Sequence, residues 1–191
     1  SDIIKSPVHI RIDRKDYIIV QLKNGDLKIL NRRGEDRIVV ENKIQYNDNT
    51  VYSYLGSFTT SDNQGNLIQI DTNGNFKRNN LNLSENSMIN IFDDKLIYIS
   101  EDILSIKGID VKLPVGRYSK PKIFNISRNF FVGTTDLNDN NIYLFNDSGE
   151  LVKGFPLKGS SSYDLIDSDM DGKLEIISKI DNFSIVSYEI N

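Results

Sequence analysis

Cysteine is absent from the 191-residue chain, and with it any disulfide framework, thiolate nucleophile, zinc ribbon or iron–sulfur site. Tryptophan is absent too, and a single histidine, His9, leaves most histidine-based catalysis without parts. Alanine, the best helix former, does not occur at all, whereas β-branched residues are plentiful and Tyr and Phe number nine each. That balance excludes helical bundles and α/β sandwiches. No apolar run approaches the ~20 residues of a membrane-spanning helix. The formal net charge of −4 argues against general nucleic-acid binding. What is present, 38% hydrophobic and 26% charged residues, suffices for a core, and the length suits one domain covering residues 1–191 or two very small ones.

The chain opens Ser1-Asp2-Ile3-Ile4 with neither an initiator Met nor a signal peptide. It reads as a processed chain or as a piece of a longer one, so missing targeting information is no evidence for the cytoplasm. The abundant Asn, as in Asn79-Asn80-Leu81-Asn82, matches the codon bias of an AT-rich genome better than a functional demand.

One pattern recurs: an apolar run, a turn rich in Asn, Asp or Gly, a second alternating run and another turn. Tyr17-Ile18-Ile19-Val20, Lys23-Asn24-Gly25-Asp26 and Leu27-Lys28-Ile29-Leu30 form the first copy. Ser57-Phe58-Thr59-Thr60, Asn63-Gln64-Gly65-Asn66 and Leu67-Ile68-Gln69-Ile70 form the second. Weaker or similar copies are anchored near Ile97, Phe131 and Ile176, which gives a period of roughly 40 residues, in the range of propeller blades. An alternating segment precedes each copy, such as Val8-His9-Ile10-Arg11-Ile12. One follows four of the five, such as Asp36-Arg37-Ile38-Val39-Val40 and Glu150-Leu151-Val152-Lys153. Four short strands joined by hairpins make one blade, and no segment sustains a 3.6-residue apolar period.

A four-stranded sheet that is apolar on both faces cannot bury itself alone, whereas sheets stacked face to face can. The expected fold is therefore all-β: a β-propeller of about five four-stranded blades, or part of a seven- or eight-bladed ring. The approximate blades are 6–44, 45–84, 85–116, 117–159 and 160–191. The fifth runs out at Tyr188-Glu189-Ile190-Asn191 before an outer strand, and Asp2-Ile3-Ile4-Lys5 is the candidate strand to complete it.

One stretch carries chemistry. Asp167-Ser168-Asp169-Met170-Asp171-Gly172-Lys173-Leu174-Glu175 sets three carboxylates at alternate positions ahead of a Gly. Alternate residues of a tight loop can point inward together, Gly172 permits the sharp turn, and the Lys173 carbonyl can add a backbone ligand. Oxygen donors without nearby His or Cys suit a hard cation, Ca²⁺ above all. The spacing begins like an EF-hand and then departs from it, with Ser178 where the twelfth-position Glu would stand and no flanking helices. The short loops Asp13-Arg14-Lys15-Asp16, Asp93-Asp94-Lys95 and Ser127-Arg128-Asn129 of other repeats lack the ligand count, so a single ordered site is expected.

D-x-D-x-D-G-x-x-[DE] followed by an apolar strand resembles the calcium loop of FG-GAP and VCBS repeats, the propeller blades also found in integrin α subunits. Gly154-Phe155-Pro156-Leu157 before it and Glu175-Ile176-Ile177 after it fit bacterial members, and the match covers only about residues 154–178. The resemblance implies ligation by Asp167, Asp169, Asp171 and Glu175 with the Lys173 carbonyl, and one structural Ca²⁺ in the loop between the first two strands of a blade. The other four repeats look like generic, quinoprotein-like blades.

The remaining residues have ordinary readings. His9 alternates to the polar side of a strand. Arg32, Arg33 and Arg37 crowd a hairpin with Glu35 and Asp36 and read as a solvated, self-neutralising turn rather than an anion site. Ser160-Ser161-Ser162 lies outside any G-x-S-x-G context and reads as a linker. Tyr52, Tyr54, Tyr98 and Tyr143 sit on strands where aromatics pack.

The function these features imply is a non-catalytic interaction or scaffold module with a protein partner, one structural calcium loop and no nucleic-acid ligand. It would belong to a larger extracytoplasmic protein, periplasmic, surface or secreted, and could pack against the rest of that protein. The alternatives are a calcium-assisted carbohydrate-binding propeller, with a glycan as ligand, and a remnant of a quinoprotein-like enzyme.

Overall fold

The computed structural model describes residues 2–126 and 129–190. Its described elements are all β-strands, in five antiparallel sheets. The first sheet contains β1 (Val8–Ile12), β2 (Lys15–Gln21), β3 (Leu27–Leu30) and β4 (Asp36–Ile38). The second contains β5 (Tyr52–Tyr54), β6 (Ser57–Ser61), β7 (Asn66–Ile70) and β8 (Phe76–Asn80). The third is β9 (Met88–Phe92), β10 (Lys95–Ser100), β11 (Ile103–Ile106) and β12 (Ile109–Lys112); the fourth is β13 (Lys122–Ile126), β14 (Asn129–Asp136), β15 (Asn141–Asn146) and β16 (Leu157–Lys158). The fifth has three strands, β17 (Tyr163–Ile166), β18 (Leu174–Lys179) and β19 (Ile185–Ile190). Every sheet is a meander in chain order. The turn chemistry accounts for most of this: tight two- to five-residue connections return the chain antiparallel beside itself, whereas β15–β16 and β17–β18 are joined by ten and seven residues.

The chain divides into two compact units, 1–96 and 97–191. In the first unit the inward residues of two sheets form one core. Ile10, Ile19 and Ile29 of the first sheet meet Phe58, Ile68 and Ile70 of the second, and all six are buried. Tyr17 and Phe58 pack edge to face at 4.9 Å. The alternation that buries one face is fixed by register, as in Ile19↔Ile29 and Phe58↔Ile70. In the second unit Ile142 and Leu144 of the fourth sheet pack with Tyr163, Leu165 and Ile176 of the fifth. Lys122 lies 4.5 Å over the Tyr163 ring and donates to the Tyr163 carbonyl at 2.6 Å. Burial pushes the Tyr163 hydroxyl pKa upward.

Two local expectations change. Asp2-Ile3-Ile4-Lys5, read as the strand completing the fifth blade, instead lies along the first sheet's own hairpin. Ile3 bridges Leu22, the Ile4 N–H donates to the Gln21 carbonyl at 3.1 Å, and Lys5 reaches the Asp48 carbonyl at 2.7 Å. The segment takes the edge of β2 beyond Ile19, where the pairing with β1 ends at Val8. The outer strand of the fourth sheet is Leu157–Lys158 rather than Glu150–Lys153. Only Leu151 bridges Phe145, and the Gly149 and Gly154 turns, both at positive φ, carry the chain away until Leu157 meets Ile142. Of the short loop Ser127–Asn129, Ser127 and Arg128 lie outside the described residues, as do Ser1 and Asn191.

Candidate metal centre

The acidic loop joins β17 to β18, whose register pairs Ile166 with Glu175. That pairing sets Asp167, the first residue past β17, close to Glu175 at the start of β18. Glu175 is buried at 8% exposure, and its Oε2 accepts from the Ser168 N–H at 2.7 Å and the Ser168 hydroxyl at 2.8 Å. Asp167 Oδ2 accepts from the Gly172 N–H at 3.1 Å, closing the loop, and Asp169 Oδ1 accepts from the Asp171 N–H at 3.2 Å. Met170 and Gly172 both adopt positive φ, and these two turns fold seven residues between adjacent strands.

One carboxylate oxygen from each of Asp167, Asp169 and Glu175 falls within 4.8 Å of the others. The Asp171 carboxylate is not one of that group. Asp171 Oδ1 accepts from the Lys173 N–H at 2.8 Å, and Asp171 Oδ2 lies 3.7 Å from Lys173 Nζ. The same ammonium reaches Glu189 Oε2 at 2.9 Å, and Glu189 holds the Lys173 pKa above its ordinary value. Asp167 Oδ1 is buried and has no hydrogen-bond partner among the described residues. At 4.8 Å two unit charges repel by about 1 kcal/mol in water and about 3–4 kcal/mol at an effective dielectric constant of ~20.

The other predicted residues take structural places. Tyr143 is buried and stacks on Phe145, and the Tyr52 hydroxyl donates to the Ile89 carbonyl at 3.1 Å with its pKa pushed up to about 12 by burial. His9 Nε2 meets Asp16 Oδ1 at 2.9 Å. The arginine hairpin departs from the self-neutralising turn: Glu35 accepts from Asn31 Nδ2 and Asp36 from Lys28 Nζ, while Arg32 and Arg37 converge on Asp16. Asp16 sits 16 residues before Arg32, and only the β2–β3 pairing brings them together, so no local pattern announces it.

No protein-family description matches the chain, and no curated protein matches it. Among solved structures it is similar to BamB from Moraxella catarrhalis, at 15% identity and TM-score 0.54, covering 96% of this chain and 58% of that one. It is similar to BBS1N, solved in complex with ARL6DN, at 13% identity and TM-score 0.59, covering 96% of this chain and 64% of that one. It is also similar to the dihydro-heme d1 dehydrogenase NirN, solved in complex with DHE, at 13% identity and TM-score 0.59, covering 95% of this chain and 44% of that one. The chain thus spans less than two thirds of the length of each. These neighbours are β-propeller proteins, and the likeness, at such identities, shows the fold alone: the five sheets of this chain are β-propeller blades.

Proposed function

We propose that the chain is a non-catalytic β-propeller interaction module whose fifth sheet carries one structural calcium site of the FG-GAP/VCBS kind. The observation that carries the calcium reading is the orphaned Asp167 Oδ1, buried beside the Asp169 and Glu175 carboxylates. A buried carboxylate oxygen without a donor costs free energy that a cation relieves, and the same cation offsets the mutual repulsion. Asp167, Asp169 and Glu175 would hold the ion, with Asp171 and the Lys173 carbonyl as the further ligands that the family resemblance supplies. An oxygen-only donor set on a flexible loop suits Ca²⁺ better than Mg²⁺, which demands stricter octahedral geometry. The ion's role is to brace the β17–β18 connection. An extracytoplasmic setting, where Ca²⁺ is abundant, fits a site of this exposure. The interaction role rests on a composition poor in catalytic groups and on the broad faces that propeller blades present.

Calorimetric titration of chelator-stripped protein tests the site. A one-to-one Ca²⁺ isotherm is expected, lost in Asp169→Ala, whose side chain is exposed and whose removal leaves the sheet intact. At free Ca²⁺ one hundred times Kd the stability gain is about 2.7 kcal/mol. Absence of heat and of a thermal shift at millimolar Ca²⁺ would reduce the loop to an acidic turn.

A further inference from the structure

Five of the chain's eight arginines fall between residues 11 and 37. The pairing of β2 with both β1 and β3 puts the β1–β2 and β3–β4 turns at the same end of the first sheet. Between them lies an open concavity of about 340 Å³, lined by Arg14, Lys15, Asp16, Arg32, Arg33 and Arg37. Five cations thus face one carboxylate. Two acids of the β3–β4 hairpin are engaged elsewhere: Glu35 Oε2 is held by Asn31 at 2.8 Å, and Asp36 Oδ2 lies 3.2 Å from Lys28.

Asp16 organises the floor. Its side chain is 11% exposed; Oδ1 meets His9, Oδ2 takes Arg32, and its backbone carbonyl accepts from Arg37 Nη1 at 2.8 Å. Arg37 also lies 5.0 Å over the Tyr17 ring. Two guanidinium groups are therefore pre-oriented before any ligand arrives, which lowers the ordering cost of binding. Arg14 and Arg33 add charge from the two turns at the rim.

We propose that this concavity binds an acidic, carboxylate-rich segment of a partner protein. The inference rests on the interaction-module reading for there being a partner, and is independent of the calcium loop. Guanidinium forks match carboxylates bidentately, and several lie within one concavity, so a short run of Asp or Glu can engage more than one. A long polyanion is disfavoured: the chain as a whole carries −4, and beyond a Debye length of about 8 Å at physiological salt the patch's positive field is lost.

The test is fluorescence anisotropy with a fluorescein-labelled deca-glutamate peptide, deca-glutamine as control, on the whole chain at low salt in EGTA. Binding of the glutamate peptide alone is expected, weakening as salt rises. Arg14→Glu with Arg33→Glu should weaken it by at least about tenfold, roughly 1.4 kcal/mol. Arg117→Glu, an exposed arginine between β12 and β13, should leave it within twofold. The double variant alters exposed turn positions, and superimposable melting curves verify its fold. The proposal is overturned by absence of binding, by binding indifferent to the double variant, or by oligoadenylate displacing the peptide as well as unlabelled deca-glutamate does. Calcium-dependent stability is read separately, so either reading can fail without the other.

Discussion

Asn49 shows how much one residue can hold in a short-stranded fold. It is buried at 3% exposure just before β5. Its Nδ2 donates to Ser61 Oγ at 2.8 Å and to the Ser87 carbonyl at 2.7 Å, and its Oδ1 accepts from the Ile89 N–H at 2.9 Å. One amide thus ties β6 to the entry of β9. Asn49→Ala strands the Ile89 N–H and the Ser87 carbonyl, while Ser61 Oγ keeps its bond from Asn47 Nδ2, so a loss of about 2–3 kcal/mol is expected, readable by urea titration. In an Asn-rich chain this residue is invisible by composition; only burial distinguishes it from its exposed namesakes. Gly65 offers a second contrast. It sits at φ +86°, and an added Cβ would lie 2.8 Å from the Leu83 carbonyl oxygen, because the linker after β8 crosses the hairpin tip there. Gly34, at φ +80°, has open space around it. Gly65→Ala should therefore lower the melting temperature clearly more than Gly34→Ala, since both share the backbone strain and only the first adds a clash.

At the scale of elements, the strands were largely legible because period-two alternation coincides with a buried face. Val8–Ile12 and Leu27–Leu30 begin and end where the alternation does. Legibility fails where polar strands pair without a core to face. β8, Phe76–Asn80, reads Phe-Lys-Arg-Asn-Asn and has no apolar alternation, yet it pairs with β7 over five residues. The β16 position was hidden because register with β15, not local pattern, selects Leu157 over Leu151 as the strand residue. Of the acidic loop, the sequence spacing names the residues, but which carboxylates converge depends on the Ile166↔Glu175 register and on Ser168 orienting Glu175. The N-terminal segment gives a test at this scale. Residues 2–5 make backbone bonds to Gln21 and Leu22–Lys23 and an exposed ion pair from Lys5 to Asp48. Deleting them should cost about 1–2 kcal/mol, from two net hydrogen bonds and little from the exposed pair. Hydrogen exchange should quicken at Lys23 and leave β18 unchanged; faster exchange in β18 would restore the reading that this segment completes the fifth sheet.

At the scale of the whole chain, the absence of alanine and the repeated hairpin spacing predict an all-β propeller, and those features persist because every blade solves the same burial problem. What composition cannot convey is how the charges are spent. With 27 acidic and 23 basic residues, the chain could have been indifferent to mild acid. Instead, carboxylates along its length are held below their ordinary range by hydrogen bonds: Asp16 by His9 and then Arg32, Asp26 by Lys43, Asp71 by Asn75, Asp102 by Lys112 and Asp181 by the Phe183 N–H. A carboxylate whose folded pKa is depressed binds fewer protons folded than unfolded in the interval between the two values. Its contribution to stability is complete above the unfolded value, 3.8 for Asp, and declines as pH falls through that value toward the folded one. Stability in calcium-free buffer should therefore be nearly level from pH 7 to about pH 5 and decline below about pH 4. Thermal melts followed at the β-sheet circular dichroism band, in EGTA at fixed ionic strength, give the measurement. Asp71→Asn tests the cause: it is neutral and keeps an acceptor for the Asn73 and Asn75 N–H groups at 2.8 and 2.9 Å, but replaces the oxygen that accepts from Asn75 Nδ2 at 2.7 Å with an amide nitrogen. The variant should lose stability at pH 7 and lose less on going to pH 3 than the parent. An equal acid response in parent and variant would mean that other groups drive the transition.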